Sequence, residues 1–154
     1  GLGSGWFERD YQEFGYEFGT AGSRLKDLAH NLPIVKERLS KLKPAPLQSP
    51  LPIMIGGGGE KVTLKLVAEH AHLWNGFGPP DNFAHKNKVL DQWCKELGRD
   101  PKSIERTVLV MRPAELDILD QYVEAGAEHI ILGLGWPFPL EGVEKLLAWR
   151  KARG

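Results

Sequence analysis

Pro52-Ile53-Met54-Ile55-Gly56-Gly57-Gly58-Gly59-Glu60-Lys61 is the stretch on which the reading of this chain turns. A short apolar segment runs into four consecutive glycines, and the residues that follow, Val62 to Leu73, place apolar side chains at helical spacing. A strand that breaks into glycines and restarts as a helix is how parallel α/β proteins offer backbone N–H groups to a phosphate. Glycine has no Cβ, so the main chain can turn through positive φ and a ligand can approach it closely. The helix that follows directs its unpaired N–H groups and positive dipole end at the same point. The run has neither the Lys-Ser/Thr ending of a P-loop nor the full dinucleotide fingerprint, and a flexible glycine turn is the alternative. Strand, glycines and helix nonetheless come in the order that a phosphate-bearing cofactor requires.

Outward from this stretch, strand and helix patterns alternate. Upstream, Leu25, Leu28, Leu32, Val35, Leu39 and Leu42 form one face of a helix over Arg24 to Leu42, in which Pro33 predicts a kink or a restart. Leu42 to Pro50 is a proline-rich connector. Downstream, His72 to Gly78 reads as a strand ending in a loop. Asp81 is placed to cap a helix that runs to Leu97 and is closed by Gly98. Arg106 to Met111 reads as a buried strand, Ala114 to Ala125 as a helix closed by Gly126, His129 to Leu134 as another buried strand, and Glu141 to Arg150 as a final helix. The alternation predicts an α/β fold with a parallel sheet and right-handed crossovers.

Composition narrows the function classes. The chain has 154 residues, 20 basic and 20 acidic, so no global field draws it to nucleic acid or an anionic membrane. No apolar run approaches the length that crosses a bilayer, and the single cysteine, Cys94, has no internal partner, so a reducing cytoplasm is the expected compartment. No signal peptide is visible; the chain opens on Gly1 without a methionine and reads as cut from something longer. His70 and His72 are two residues apart, which suits no metal site on a helix, so no metal is expected.

Gly1 to Arg9 with Tyr11 and Phe14-Gly15, Arg24-Leu25, Pro52 to Glu60, Thr63-Leu64, Leu66-Val67-Ala68, Trp74-Asn75, and Gly98-Arg99-Asp100-Pro101 with Ile104-Glu105-Arg106 come in the order found in luciferase-like monooxygenases. The chain resembles that superfamily, and most of all its branch of oxidoreductases that use the deazaflavin coenzyme F420. The resemblance implies (β/α) units of a TIM-type barrel, with F420, or alternatively FMN, at the C-terminal ends of the strands. It implies that Gly56, Gly57, Gly58 and Gly59 hold the cofactor phosphate, and that a small organic substrate shares the site.

The opening Gly-Trp motif falls near the middle of family sequences. A complete barrel takes about 250 residues. Residues 1–154 are therefore expected to form a single domain, about half of a barrel and corresponding to its C-terminal half, with a fifth strand beginning at Gly1. An open half-barrel exposes two sheet edges and an apolar inner face, which predicts a homodimer or a complementary half-barrel chain. A non-catalytic half-barrel that keeps only the fold or a vestigial anion site is the competing expectation.

Trp74 and Asn75 end the strand after the glycine helix, where Asn can bond a ligand and Trp can stack on its ring, or where both serve the core and the turn. Glu60 reads as a helix-start residue tolerated beside a phosphate, and Lys61 as a solvated lysine. Gly135 and Trp136, at the end of the last strand, are placed to open and wall a ligand space. His129, at a strand's N-terminal end, reads as structural, and Cys94 as a buried small hydrophobe.

Overall fold

The computed structural model describes residues 1–154. Two helices, α1 (Glu8–Phe14) and α2 (Ala21–Ser40), precede the alternating region. That region runs β1 (Met54–Gly56), α3 (Thr63–His70), β2 (Leu73–Gly76), α4 (Pro80–Glu96), β3 (Glu105–Val110), α5 (Leu119–Glu124), β4 (His129–Leu132) and α6 (Glu141–Arg153). The four strands form one parallel sheet in sequence order, β1-β2-β3-β4, the order of successive (β/α) units. The fifth strand expected at Gly1 is reduced to one parallel bridge: the Leu2 N–H donates to the Met54 carbonyl at 2.7 Å, and the Leu2 carbonyl accepts from Gly56 at 3.0 Å.

Side chains alternate across this sheet, as the two-residue strand period demands. Ile55, Trp74, Val108 and Val110 point to the helices and are at most 1% exposed. They meet Leu64 and Val67 of α3 and Phe83, Leu90 and Cys94 of α4, all fully buried. Each such apolar side chain contributes about 1.5–3 kcal/mol on burial. The other face carries Met54, Leu73, Asn75, Leu109 and Ile131, none of them buried. Thr107 is fully buried on this second face, in register with Asn75 and His129.

Three local expectations are corrected. Helix α2 continues through Pro33 as one element, so the restart expected there does not occur. It starts with Thr20 and Ser23 capping each other's N–H groups at 3.1 and 2.9 Å, and Leu28 and Leu32 anchor it just before the proline. Packing of that face offsets the missing hydrogen bond. Asp81 lies in the first turn of α4, and Pro79 takes the cap position. The helix expected over Ala114 to Ala125 divides into a 3-10 turn, Pro113–Asp117, and α5. The Glu115 side chain turns back to accept from the Met111 and Arg112 N–H groups, both at 2.8 Å, while Leu119 and Tyr122 bury themselves in the core.

Gly98 and Gly126 close α4 and α5 in the left-handed conformation, as their sequence positions predict. The Arg99-Asp100-Pro101 segment is structural. The Arg99 guanidinium donates to the carbonyls of Ala68 at 2.9 Å and Ala71 at 2.6 Å, satisfying the C-terminus of α3, and Asp100 caps the Lys102 N–H at 3.0 Å.

Candidate functional site

A cleft of about 890 Å³ opens at the C-terminal ends of β1, β2 and β3. Gly56, Gly57 and Asn75 form one wall, and Leu109, Met111 and Arg112 the opposite one. Phe77, 60% exposed, and Trp6, 82% exposed, add aromatic surface at its rim.

The glycine wall is built in two parts. Gly56 and Gly57 belong to the sheet: their N–H groups donate to the carbonyls of Leu2 at 3.0 Å and Asn75 at 3.1 Å. Gly57 has φ +124°, where a side chain is strained, and a Cβ there would meet Thr63 Cγ2 at 3.1 Å. Gly58 and Gly59 continue along the turn into α3. From Gly58 through Val62, five successive backbone N–H groups have no acceptor in the protein. Gly59, Lys61 and Val62 are exposed, so these groups face solvent, as the first N–H groups at a helix start ordinarily do.

The charges beside these groups come from α4. Lys86 reaches back to the loop: a Cβ on Gly58 would lie 3.6 Å from Lys86 Cε. Glu60 Oε1 accepts from Lys86 Nζ at 2.6 Å and lies 3.0 Å from His85 Nε2. These two bonds, Lys86 first, hold the Glu60 carboxyl below its usual range. The carboxylate is thus directed at α4. Lys61 is exposed, in keeping with its reading as a solvated lysine.

Trp74 does not face a ligand. It is 1% exposed and stacks on Phe83 with ring centroids 5.0 Å apart, so ring stacking on a cofactor is excluded and the core role holds. Its indole N–H donates to the Gly57 carbonyl at 2.8 Å, which braces the glycine turn from behind. Asn75 is in the wall, half-exposed. Its Nδ2 donates to Thr107 Oγ1 at 2.8 Å, leaving Oδ1 as an acceptor at the cleft.

Across the cleft, sequence reading missed a cluster at the end of β3. Glu115 is 7% exposed; besides the two N–H groups, it accepts from Arg112 Nη2 at 2.9 Å, with the Tyr122 hydroxyl at 3.4 Å. Burial pushes the Glu115 carboxyl up, but the bonds from Arg112 and Met111 outweigh it and leave it lowered. Burial, reinforced by Glu115, pushes the Tyr122 phenol up. That phenol also lies 3.1 Å from the Gly78 carbonyl, tying the loop after β2 to the loop after β3. The signal available in sequence was the position of Met111-Arg112-Pro113-Ala114-Glu115, directly after a strand.

Gly135 and Trp136 lie elsewhere. Gly135 borders a separate hollow of about 290 Å³ over Leu116 and Leu132, and Trp136 is 86% exposed against Phe138 and lines neither that hollow nor the cleft. His72 Nδ1 accepts from the Ile53 N–H at 3.0 Å, and His129 Nδ1 lies 2.9 Å from Glu105 Oε1, both in structural pairings at strand starts. No group of three or more His, Cys, Asp or Glu is placed to hold a metal ion. No helix is long and apolar enough to cross a membrane.

No family model and no curated protein matches this sequence. Among solved structures, the chain is similar to an F420-dependent secondary alcohol dehydrogenase in complex with an F420-acetone adduct, with a TM-score of 0.71 and 13% identity. The likeness is one of fold. It covers 85% of this chain and 62% of that enzyme, so the chain spans under two thirds of the enzyme's length. A coenzyme F420-dependent tetrahydromethanopterin reductase from Methanopyrus kandleri matches over 64% of this chain at 12% identity, with a TM-score of 0.48.

Proposed function

We propose that this chain is the cofactor-anchoring part of a luciferase-like oxidoreductase, and that F420, with FMN as the alternative, places its phosphate on the Gly56–Gly59 turn. The observation that carries this reading is the run of five N–H groups without acceptors, Gly58 through Val62, next to the cleft in a parallel (β/α) sheet. The residues present fit a phosphate: Gly58 has no side chain, and the Lys86 ammonium beside it, bonded to Glu60 at 2.6 Å, can turn to an anion. When bound, the deazaflavin supplies hydride transfer. The protein's part is to anchor the phosphate, to offer Asn75 Oδ1 as an acceptor, and to present an apolar wall at Leu109 and Met111 that excludes water from a small organic substrate.

Support for the cofactor's identity is the fold likeness together with the motif resemblance. We further propose that a second copy, or a chain carrying the remaining strands, covers the open sheet face where Leu73, Leu109 and Ile131 stand unburied. Sedimentation as a compact monomer at micromolar concentration removes that part. A non-catalytic half-barrel is the second reading, favoured by a sheet of four strands that does not close. Titration with F420 and with FMN, followed by fluorescence quenching, separates the two. Binding tighter than about 1 mM, or about 4 kcal/mol, supports the anchoring role, and weaker binding of both contradicts it.

A further inference from the structure

The cleft has a second pole. Arg112 stands 71% exposed in the wall opposite the glycine turn, and only its Nη2 is engaged by a carboxylate. Its partner Glu115 is saturated: Oε2 takes the Met111 and Arg112 N–H groups at 2.8 Å, and Oε1 takes Arg112 Nη2 with the Tyr122 hydroxyl alongside. A carboxylate so fully bonded from the protein side fixes the direction of the guanidinium without occupying its other donors. A guanidinium has five N–H donors in a rigid fork suited to carboxylate or phosphate, and most of this fork is free at the cleft.

The two poles are separate. The register aligns Gly56 with Asn75 and Asn75 with Thr107, so the backbones of β1 and β3 lie two strand spacings, about 10 Å, apart at that level, and Arg112 follows five residues beyond Thr107. Between them the surface is apolar and aromatic, with Phe77, Leu109 and Met111.

We propose that Arg112, oriented by Glu115, binds the anionic group of an organic substrate whose apolar body lies on Phe77, Leu109 and Met111. The substrate class is a small organic acid or phosphate ester, held by its charge at β3 while the cofactor phosphate is held at β1. This deepens the reading above and rests on it for what occupies the glycine turn. Arg112 is the binding residue, and Glu115 is a positioning residue that acts through it.

The test uses benzoate and its neutral isostere benzamide as probes, titrated into the full chain and followed by amide chemical shifts. The expected result is at least tenfold tighter binding of benzoate, with shifts at Phe77, Leu109 and Met111. Arg112→Gln is expected to abolish that preference, Arg112→Lys to keep part of it, and F420 affinity in Arg112→Gln to stay within threefold of wild type. Equal binding of the two probes by wild type overturns the proposal, and so does a benzoate preference that survives Arg112→Gln. A tenfold loss of F420 affinity in Arg112→Gln with benzoate unaffected also overturns it, because the anionic group is then the cofactor's. An Arg112-dependent benzoate preference in a chain that binds neither F420 nor FMN supports this site while refuting the cofactor reading.

Discussion

The two ends of the sheet differ in where their polar groups go. At the N-terminal ends of the strands, the fold consumes them: Arg99 donates to the Ala68 and Ala71 carbonyls, His72 accepts from Ile53, and Glu128 accepts from the Arg106 N–H at 2.8 Å. Arg106, 7% exposed, donates to Asp91 at 2.7 Å and to the Ile104 carbonyl at 2.8 Å. At the C-terminal ends, five N–H groups after β1 and most of a guanidinium after β3 have no partner in the protein. Gly59, Lys61, Val62 and Arg112 are exposed, so these donors face water and are open to a ligand without breaking a bond inside the protein. The contrast follows the division of a (β/α) barrel into a stability face and a functional face.

Substitutions at the two ends are expected to separate stability from binding. The largest loss of stability is expected for Arg99→Met, about 2–3 kcal/mol by urea unfolding, because carbonyls at the end of α3 lose a charged donor. Its F420 affinity is expected to match wild type; a tenfold loss would show that the two ends are not independent.

Glu115→Gln follows, at about 2 kcal/mol, since a buried carboxylate is bonded there by two N–H groups and Arg112. The folded-state pKa of Glu115 is lowered, so its contribution is full above its unfolded value of about 4.3 and is lost as pH falls through the folded value. The wild-type chain is therefore expected to lose more stability on acidification below that point than Glu115→Gln does. Parallel urea midpoints against pH would expose a miscast role.

Gly57→Ala is expected to cost about 1–2 kcal/mol, from a left-handed backbone and the close approach of Thr63 Cγ2. Gly58→Ala is expected to have the smallest effect on stability, within about 0.5 kcal/mol, because φ there is ordinary and its Cβ meets only Lys86 Cε at van der Waals distance. It is nevertheless the variant expected to lose F420 binding by more than tenfold, since the methyl is added at the first of the five N–H groups without acceptors and against Lys86 Cε. Unfolding of Gly58→Ala, or unchanged affinity in it, would break the contrast between the two ends.

The parts of this molecule legible in its sequence are those set by neighbours along the chain. The order of strands and helices, the glycine turn, and the left-handed Gly98 and Gly126 all follow from local period and turn chemistry. What the sequence left open depends on which way a strand faces. Trp74 and Asn75 are adjacent, so one had to enter the core and the other the cleft, and only the packing of Phe83 against Trp74 decides which. Lys86 was hidden because it reaches the glycine turn from another helix, 28 residues on from Gly58. Glu115 was read as part of a helix, and Arg112 fell between the expected strand and that helix. Their true role comes from a side chain folding back on the two N–H groups at the end of β3, which divides that helix.

Amide chemical-shift mapping of F420 on the wild-type chain tests the central claim most directly. Saturable shifts are expected, concentrated on the backbone N–H groups of Gly58, Gly59, Glu60, Lys61 and Val62, the groups left without acceptors. Shifts confined to other parts of the molecule, with these five unmoved under saturating F420, would contradict it.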